Sequence, residues 1–212
     1  MRITLFDNHD SFTWNLAHDL EREGLTVTVV RDGEWSNKLW AQTDALVLSP
    51  GPGLPGEHPQ LMGVVEEALK RHVPILGVCL GMQALAMHFG ATLCNLDTPL
   101  HGRSTQATWS LESCQHAPLA SMWNGVGNPM AVGHYHSWVV NEGSLPEDLH
   151  VNARNSQGLP MAFLHGTLPV AGVQFHPESV LTPEGRALLR GWVGAAQRCL
   201  AISASKVSLN FS

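Results

Sequence analysis

The sequence predicts an α/β fold in which a mostly parallel central sheet is flanked by helices and gives way to a more antiparallel second half. Three observations carry this. The first ninety residues alternate short apolar runs with segments of helical periodicity. Several of those runs are apolar without interruption, as strands covered on both faces are. From about residue 92 to 175 the pattern changes to short strand-like pieces separated by Gly, Asn and Pro.

Taken in order, residues 2–6 (RITLF) form an apolar-rich run ending at Asp7-Asn8. A helix follows from about Ser11, with Phe12, Leu16 and Leu20 at helical spacing on one face. Gly24 stops it, since glycine takes the left-handed conformation of a helix end without steric cost. Residues 26–30 (TVTVV) are β-branched and strand-like, and residues 45–49 are an apolar run closed by the rigid Pro50-Gly51-Pro52-Gly53. Residues 60–72 read as a helix and 74–78 (PILGV) as a fully buried strand. Residues 80–89 read as a helix with Met82, Leu85, Ala86 and Phe89 on one face. In such folds ligands collect beyond the carboxyl ends of the strands, which singles out the loops at 7–11 and 49–56 and the junction at Cys79.

The bulk properties narrow the function. A chain of 212 residues, 44% hydrophobic and 14% charged, is a globular chain of ordinary domain size. We read 1–202 as a single domain and the polar residues 203–212 as a loose tail. A net charge of -6 without a Lys/Arg run gives no footprint for nucleic acid or for an anionic membrane surface. The start, MRITLFDNHD, turns polar too early for a signal peptide, and no apolar run approaches the ~20 residues of a membrane span. A cytoplasmic location is therefore expected. The four cysteines, Cys79, Cys94, Cys114 and Cys199, are widely separated and lack metal or redox spacing, so they read as free thiols.

Chemistry concentrates at two motifs. Gly77-Val78-Cys79-Leu80-Gly81 follows a buried strand and opens a helix, the pattern of a nucleophile elbow in which small neighbours let the chain turn sharply and present the side chain between them. A helix N-terminus also favours thiolate, the reactive form. A buried structural cysteine is the competing local reading. A thiol nucleophile needs a base, and the base an orienting group. Gly172-Val173-Gln174-Phe175-His176-Pro177-Glu178-Ser179 offers both, with an apolar strand delivering His176, Pro177 ending the strand and Glu178 close enough to contact the imidazole. Only the fold can bring His176 to Cys79. His134 and His136 share a strand face, as metal ligands do, but no third ligand with suitable spacing accompanies them, and no metal is expected.

GVCLGMQ and GVQFHPES together resemble the class I, triad-type glutamine amidotransferases. Within that family, DNHDSFTWNL, SPGPG at 49–53, HGR at 101–103 and YHSWVV at 135–140 are similar to the small subunits of anthranilate and aminodeoxychorismate synthases, in order over about 190 residues. The resemblance implies Cys79 as nucleophile, His176 as general base and then acid, and Glu178 as the group orienting the imidazole. It implies a γ-glutamyl thioester, with backbone N–H groups of the Gly51-Pro52-Gly53 loop and of Leu80 binding the oxyanion. It places Gln83 on the substrate L-glutamine and the backbone of Ser137 and Trp138 on its α-amino and α-carboxylate groups. It implies no cofactor and, as partner, a large chorismate-binding synthase subunit, since the chain has no second domain to use the ammonia. A stand-alone thiol hydrolase of the same fold, such as a γ-glutamyl hydrolase, is the alternative. Three places depart from the family pattern: Leu54-Pro55-Gly56-Glu57-His58-Pro59 replaces a Pro-x-x-Ala-Gly stretch, Arg103 stands for lysine and Trp138 for leucine.

Overall fold

The computed structural model describes the backbone of residues 1–209 and the side chains of residues 1–205. Its core is one nine-stranded sheet in the order β2-β1-β3-β4-β9-β8-β7-β5-β6. The parallel half comprises β1 (Arg2–Asp7), β2 (Thr26–Arg31), β3 (Ala45–Leu48), β4 (Ile75–Val78) and β9 (Val170–Val173). The remaining strands, β5 (Leu93–Trp109), β6 (Met130–Val140), β7 (Leu149–Asn155) and β8 (Pro160–His165), are antiparallel, and β8 joins the halves along β9.

The uninterrupted apolar runs belong to strands packed on both sides: β3, β4 and β9 are buried at every position. Successive side chains alternate between two cores. Ile3, Leu5, Ala45, Val47, Leu76 and Val78 face α1 (Thr13–Glu21) and α4 (Gly185–Leu209). Phe6, Leu46, Leu48 and Ile75 face α2 (Leu61–Lys70) and α3 (Leu80–His88). Truncating one such side chain, as in Leu46→Ala, leaves a cavity in a packed layer and costs about 2–5 kcal/mol.

Four details differ from the sequence expectation. Leu16 and Leu20 enter the core, but Phe12 lies just before α1 and packs on Tyr135 and His176 instead. Residues 80–86 of α3 are all buried, because α3 lies on the sheet under α2 and the end of β6; the helix has no solvent face in those turns. The second half contains a strand of 17 residues, β5, rather than only short pieces. Two irregularities in its pairing with β6, one of them at Gly102 with φ +63°, divide it into the short segments that the turn-forming residues mark. The α4 backbone continues through 203–209, most of the segment expected as a tail; residues 210–212 lie outside the described residues.

Strand order reverses between β1 and β3, the position where an open α/β sheet leaves a crevice beyond its carboxyl edge. The loops after β1, β3, β4 and β9 all leave the sheet there.

Candidate active site

Cys79 sits between β4 and α3 with φ +51° and ψ -102°, a conformation that costs a side-chain-bearing residue about 1–3 kcal/mol. The surroundings impose it. A Cβ at Gly77 would lie 2.5 Å from the backbone of Gly81, and one at Gly81 would lie 2.5 Å from the Leu48 carbonyl, so strand and helix approach too closely for any other residue. The Cys79 N–H donates to the Val173 carbonyl at 2.8 Å, continuing the β4–β9 ladder into the turn.

His176 follows β9, the strand beside β4, and lies three residues past the Val173 carbonyl that holds Cys79. Its Nδ1 is 2.7 Å from Glu178 Oε1, and the two side chains are 2% and 0% exposed. The turn carrying them is tied down: the His176 N–H donates to the Gly133 carbonyl at 3.1 Å, and Thr182 Oγ1 donates to the His176 carbonyl at 2.7 Å. Tyr135 and Phe12 contact the imidazole edge-on, with ring centroids 4.9 and 5.8 Å away. Nε2 has no hydrogen-bond partner among the described residues. Burial drives the imidazole toward its neutral form, but the Cys79 sulfur and the Glu178 carboxylate outweigh it and push His176 up to about 10.

Gly51, Pro52, Gly53, Cys79, Gln83, Ser137 and Trp138 line one cavity of about 260 Å³, joined by His101, Tyr135 and His136. It is smaller than the ~300–1,000 Å³ of drug-sized sites and suits a small amino acid. Leu80 is not a lining side chain, so its contribution is limited to its backbone at the first turn of α3. Gln83 Nε2 donates to the Trp138 carbonyl at 2.9 Å and to Gln174 Oε1 at 3.2 Å. The Trp138 contact is main-chain and does not depend on indole replacing leucine. Arg103, on β5, stands opposite His134 and does not reach the cavity.

Gly51 is fixed by contact with Asn8 and Leu80: a Cβ there would lie 2.6 Å from Asn8 Cβ and 2.7 Å from Leu80 Cδ2. Gly53 has φ +71°, and the Glu57 carboxylate occupies the space a side chain would need. The departure from the family loop thus packs back onto the glycines. Glu57 Oε2 accepts the Leu54 N–H at 2.9 Å, and His58 Nε2 lies 3.0 Å from the Pro52 carbonyl.

Gln174 is a site residue the sequence did not single out. Its Nε2 donates to Cys79 Sγ at 3.5 Å and it is fully buried. The signal for it is a position two residues before His176, the spacing that puts side chains on one face of an extended chain. His134 and His136 hydrogen-bond each other at 3.2 Å, and Thr105 engages His134 at 2.7 Å. Burial pushes them down to about 4 and about 3, so both are neutral at pH 7. Among the described residues no group of three or more His, Cys, Asp or Glu is arranged to hold a metal. A larger open cleft of about 600 Å³, lined by Trp35, Trp40 and Glu67 among others, contains no cysteine or histidine.

The chain has relatives among known proteins. The chain is 39% identical over 197 residues to anthranilate synthase component 2 of Mycobacterium tuberculosis, covering 91% of this chain and 82% of that protein. It is 39% identical over 201 residues to aminodeoxychorismate synthase of Streptomyces griseus, covering 93% of this chain but only 26% of that longer protein. Among solved structures, a putative GMP synthase subunit from Thermoplasma acidophilum superposes with a TM-score of 0.83 at 27% identity, covering 96% of this chain and 98% of that one. Residues 4–195 match the family described as glutamine amidotransferase class-I, and the chain belongs to that family.

Proposed function

We propose that this chain is the glutaminase subunit of a chorismate-using synthase, with Cys79, His176 and Glu178 as its catalytic residues. The observation that carries the reading is the strained Cys79 held beside a buried, proton-retaining His176–Glu178 pair at the edge of an amino-acid-sized cavity. The Cys79 thiolate adds to the γ-carboxamide carbon of L-glutamine, and the carbonyl oxygen becomes an oxyanion facing N–H groups of Gly53 and Leu80. His176, already carrying a proton, gives it to the departing nitrogen. Ammonia leaves and a γ-glutamyl thioester remains. Neutral His176 then takes a proton from water, the hydroxide adds to the thioester, and collapse of the second tetrahedral species frees glutamate and restores the thiolate. Glu178 holds the imidazole in the tautomer that this exchange needs. Gln83 and the backbone of Ser137 and Trp138 bind the substrate.

The relatives named as anthranilate synthase component 2 and as aminodeoxychorismate synthase support a partner that consumes the ammonia, a large synthase subunit. We place the activity in the cytoplasm, in one domain over 1–202. Among the described residues no helix is long and apolar enough to cross a membrane, and the four cysteines are unpaired. The test is Cys79→Ser in the complex with the large subunit. Glutamine-dependent product formation is lost while synthesis from free ammonia persists; retained glutamine-dependent activity overturns the assignment. The product, fluorescent anthranilate or aminodeoxychorismate, identifies the pathway.

A further inference from the structure

His58, in the segment that departs from the family pattern, forms a second buried acid–imidazole pair with Asp32. Asp32 follows β2, and its backbone N–H donates to the Asp7 carbonyl at 2.9 Å. Its Oδ1 accepts the Gln60 N–H at 3.0 Å, and its Oδ2 lies 3.3 Å from His58 Nδ1. The side chains of His58 and Asp32 are 7% and 2% exposed. The other ring nitrogen, Nε2, is 3.0 Å from the Pro52 carbonyl. A carbonyl oxygen can only accept, so Nε2 carries a proton and donates it.

The Pro52 carbonyl and the Gly53 N–H belong to one peptide unit. In a planar trans peptide these groups point in opposite directions. A hydrogen bond that turns the carbonyl toward His58 therefore turns the Gly53 N–H away from it. Gly53 lines the Cys79 cavity, and with φ +71° and no Cβ its peptide can rotate at low steric cost unless something holds it. Proline supplies no N–H at position 52, so Gly53 is the donor whose direction matters.

We propose that Asp32 and His58 are positioning residues that fix the Pro52–Gly53 peptide, so that the Gly53 N–H points at the oxyanion formed on glutamine. The inference rests on the glutaminase reading above. Asp32 anchors the imidazole to the end of β2 and the start of α2, His58 grips the carbonyl, and the peptide plane passes that orientation to the cavity. An oxyanion donor acts on the tetrahedral species more than on bound glutamine, so its loss lowers kcat with little change in KM.

The test uses the full chain and measures glutamate release by wild type, His58→Phe, His58→Gln and Asp32→Asn, alongside alkylation of Cys79 by iodoacetamide and amide hydrogen exchange. His58→Phe keeps a planar ring without a donor and lowers kcat about 10²-fold, the usual effect of losing one oxyanion donor, with KM within about threefold. His58→Gln, whose amide N–H reaches toward the same carbonyl, recovers most of the loss, and Asp32→Asn falls between. Alkylation of Cys79 stays at the wild-type rate. A His58→Phe protein with wild-type kcat overturns the proposal, as does a parallel loss of kcat, substrate affinity and thiol reactivity, which would mean collapse of the whole site. If wild type hydrolyses no glutamine even with the large subunit bound, the glutaminase reading fails first. Hydrogen exchange then decides the positioning role alone: the Gly53 amide exchanges faster in His58→Phe while α3 is unchanged, and equal exchange at Gly53 overturns it.

Discussion

Alanine at Gly81 and alanine at Gly63 are chemically the same substitution in two helices of the same layer, and their effects on stability are opposite in sign. At Gly81 the new Cβ lies 2.5 Å from the Leu48 carbonyl oxygen and 2.6 Å from Leu48 Cβ. Non-bonded carbons prefer about 3.5–4.0 Å, so the helix is about 1 Å too close. Leu48 ends a fully buried strand and cannot swing aside; α3 must lift. Overpacking of this kind costs about 1–3 kcal/mol, and a clash with backbone belongs near the upper end. The higher helix propensity of alanine offsets up to about 1 kcal/mol. The net is about 2 kcal/mol of destabilisation, or a melting temperature lowered by roughly 4–8 °C for a chain of this size. At Gly63 in α2 an added Cβ meets nothing within 4 Å, and the position is solvent-exposed. There the substitution removes freedom from the unfolded chain and stabilises by about 0.4–1 kcal/mol. Thermal unfolding by circular dichroism or calorimetry measures both. A Gly81→Ala protein melting at or above wild type, or the two variants shifting in the same direction, refutes the claim that packing between strand and helix dictates the elbow.

Two further outcomes concern Cys79 and His176. Replacing Cys79 by glycine relieves the positive φ and raises the melting temperature, by roughly 2–4 °C for each kcal/mol of strain released, while glutamine hydrolysis disappears; an unchanged or lower melting temperature shows that the junction stores no strain. Because the folded-state pKa of His176 is raised to about 10, the native state retains a proton that the unfolded chain releases near 6.5. The stabilisation from this group is full below about pH 6.5 and is lost as pH rises toward 10. The unfolding free-energy gap between wild type and His176→Gln, measured in urea at pH 6, 8 and 10, therefore narrows with rising pH; a gap that widens contradicts the raised value.

The parallel half is legible in the sequence because two-sided burial leaves uninterrupted apolar runs, and because α1 and α2 bury one stripe each. Boundaries there fall within a few residues of expectation. Periodicity makes α3 one-sided because it cannot report a second covering layer that arrives from β6, far along the chain. β5 is obscured for the opposite reason: much of it is exposed, so polar and turn-forming residues such as Asp97, Pro99 and Gly102 dominate a strand held together mainly by backbone pairing. At the site, Cys79, His176 and Glu178 announce themselves through local glycine and proline chemistry. Gln174 and His58 carry no such mark. Each matters through one contact with a distant atom, Cys79 Sγ or the Pro52 carbonyl, and only the folded chain supplies that neighbour.

Cys79 and His176 leave adjacent hydrogen-bonded strands, β4 and β9, and the Cys79 amide is itself a rung of that ladder. The proposed reacting pair therefore inherits the stiffness of the middle of the sheet, and opening it requires unzipping the interior. In the proposed mechanism the substrate is faced from the other side by the Gly51–Gly53 loop, which follows β3, and by Ser137 and Trp138 of β6. Every part of the site is thus fastened to strands of one sheet, and a substitution that loosens β4 or β9 dulls the chemistry without touching a side chain that performs it.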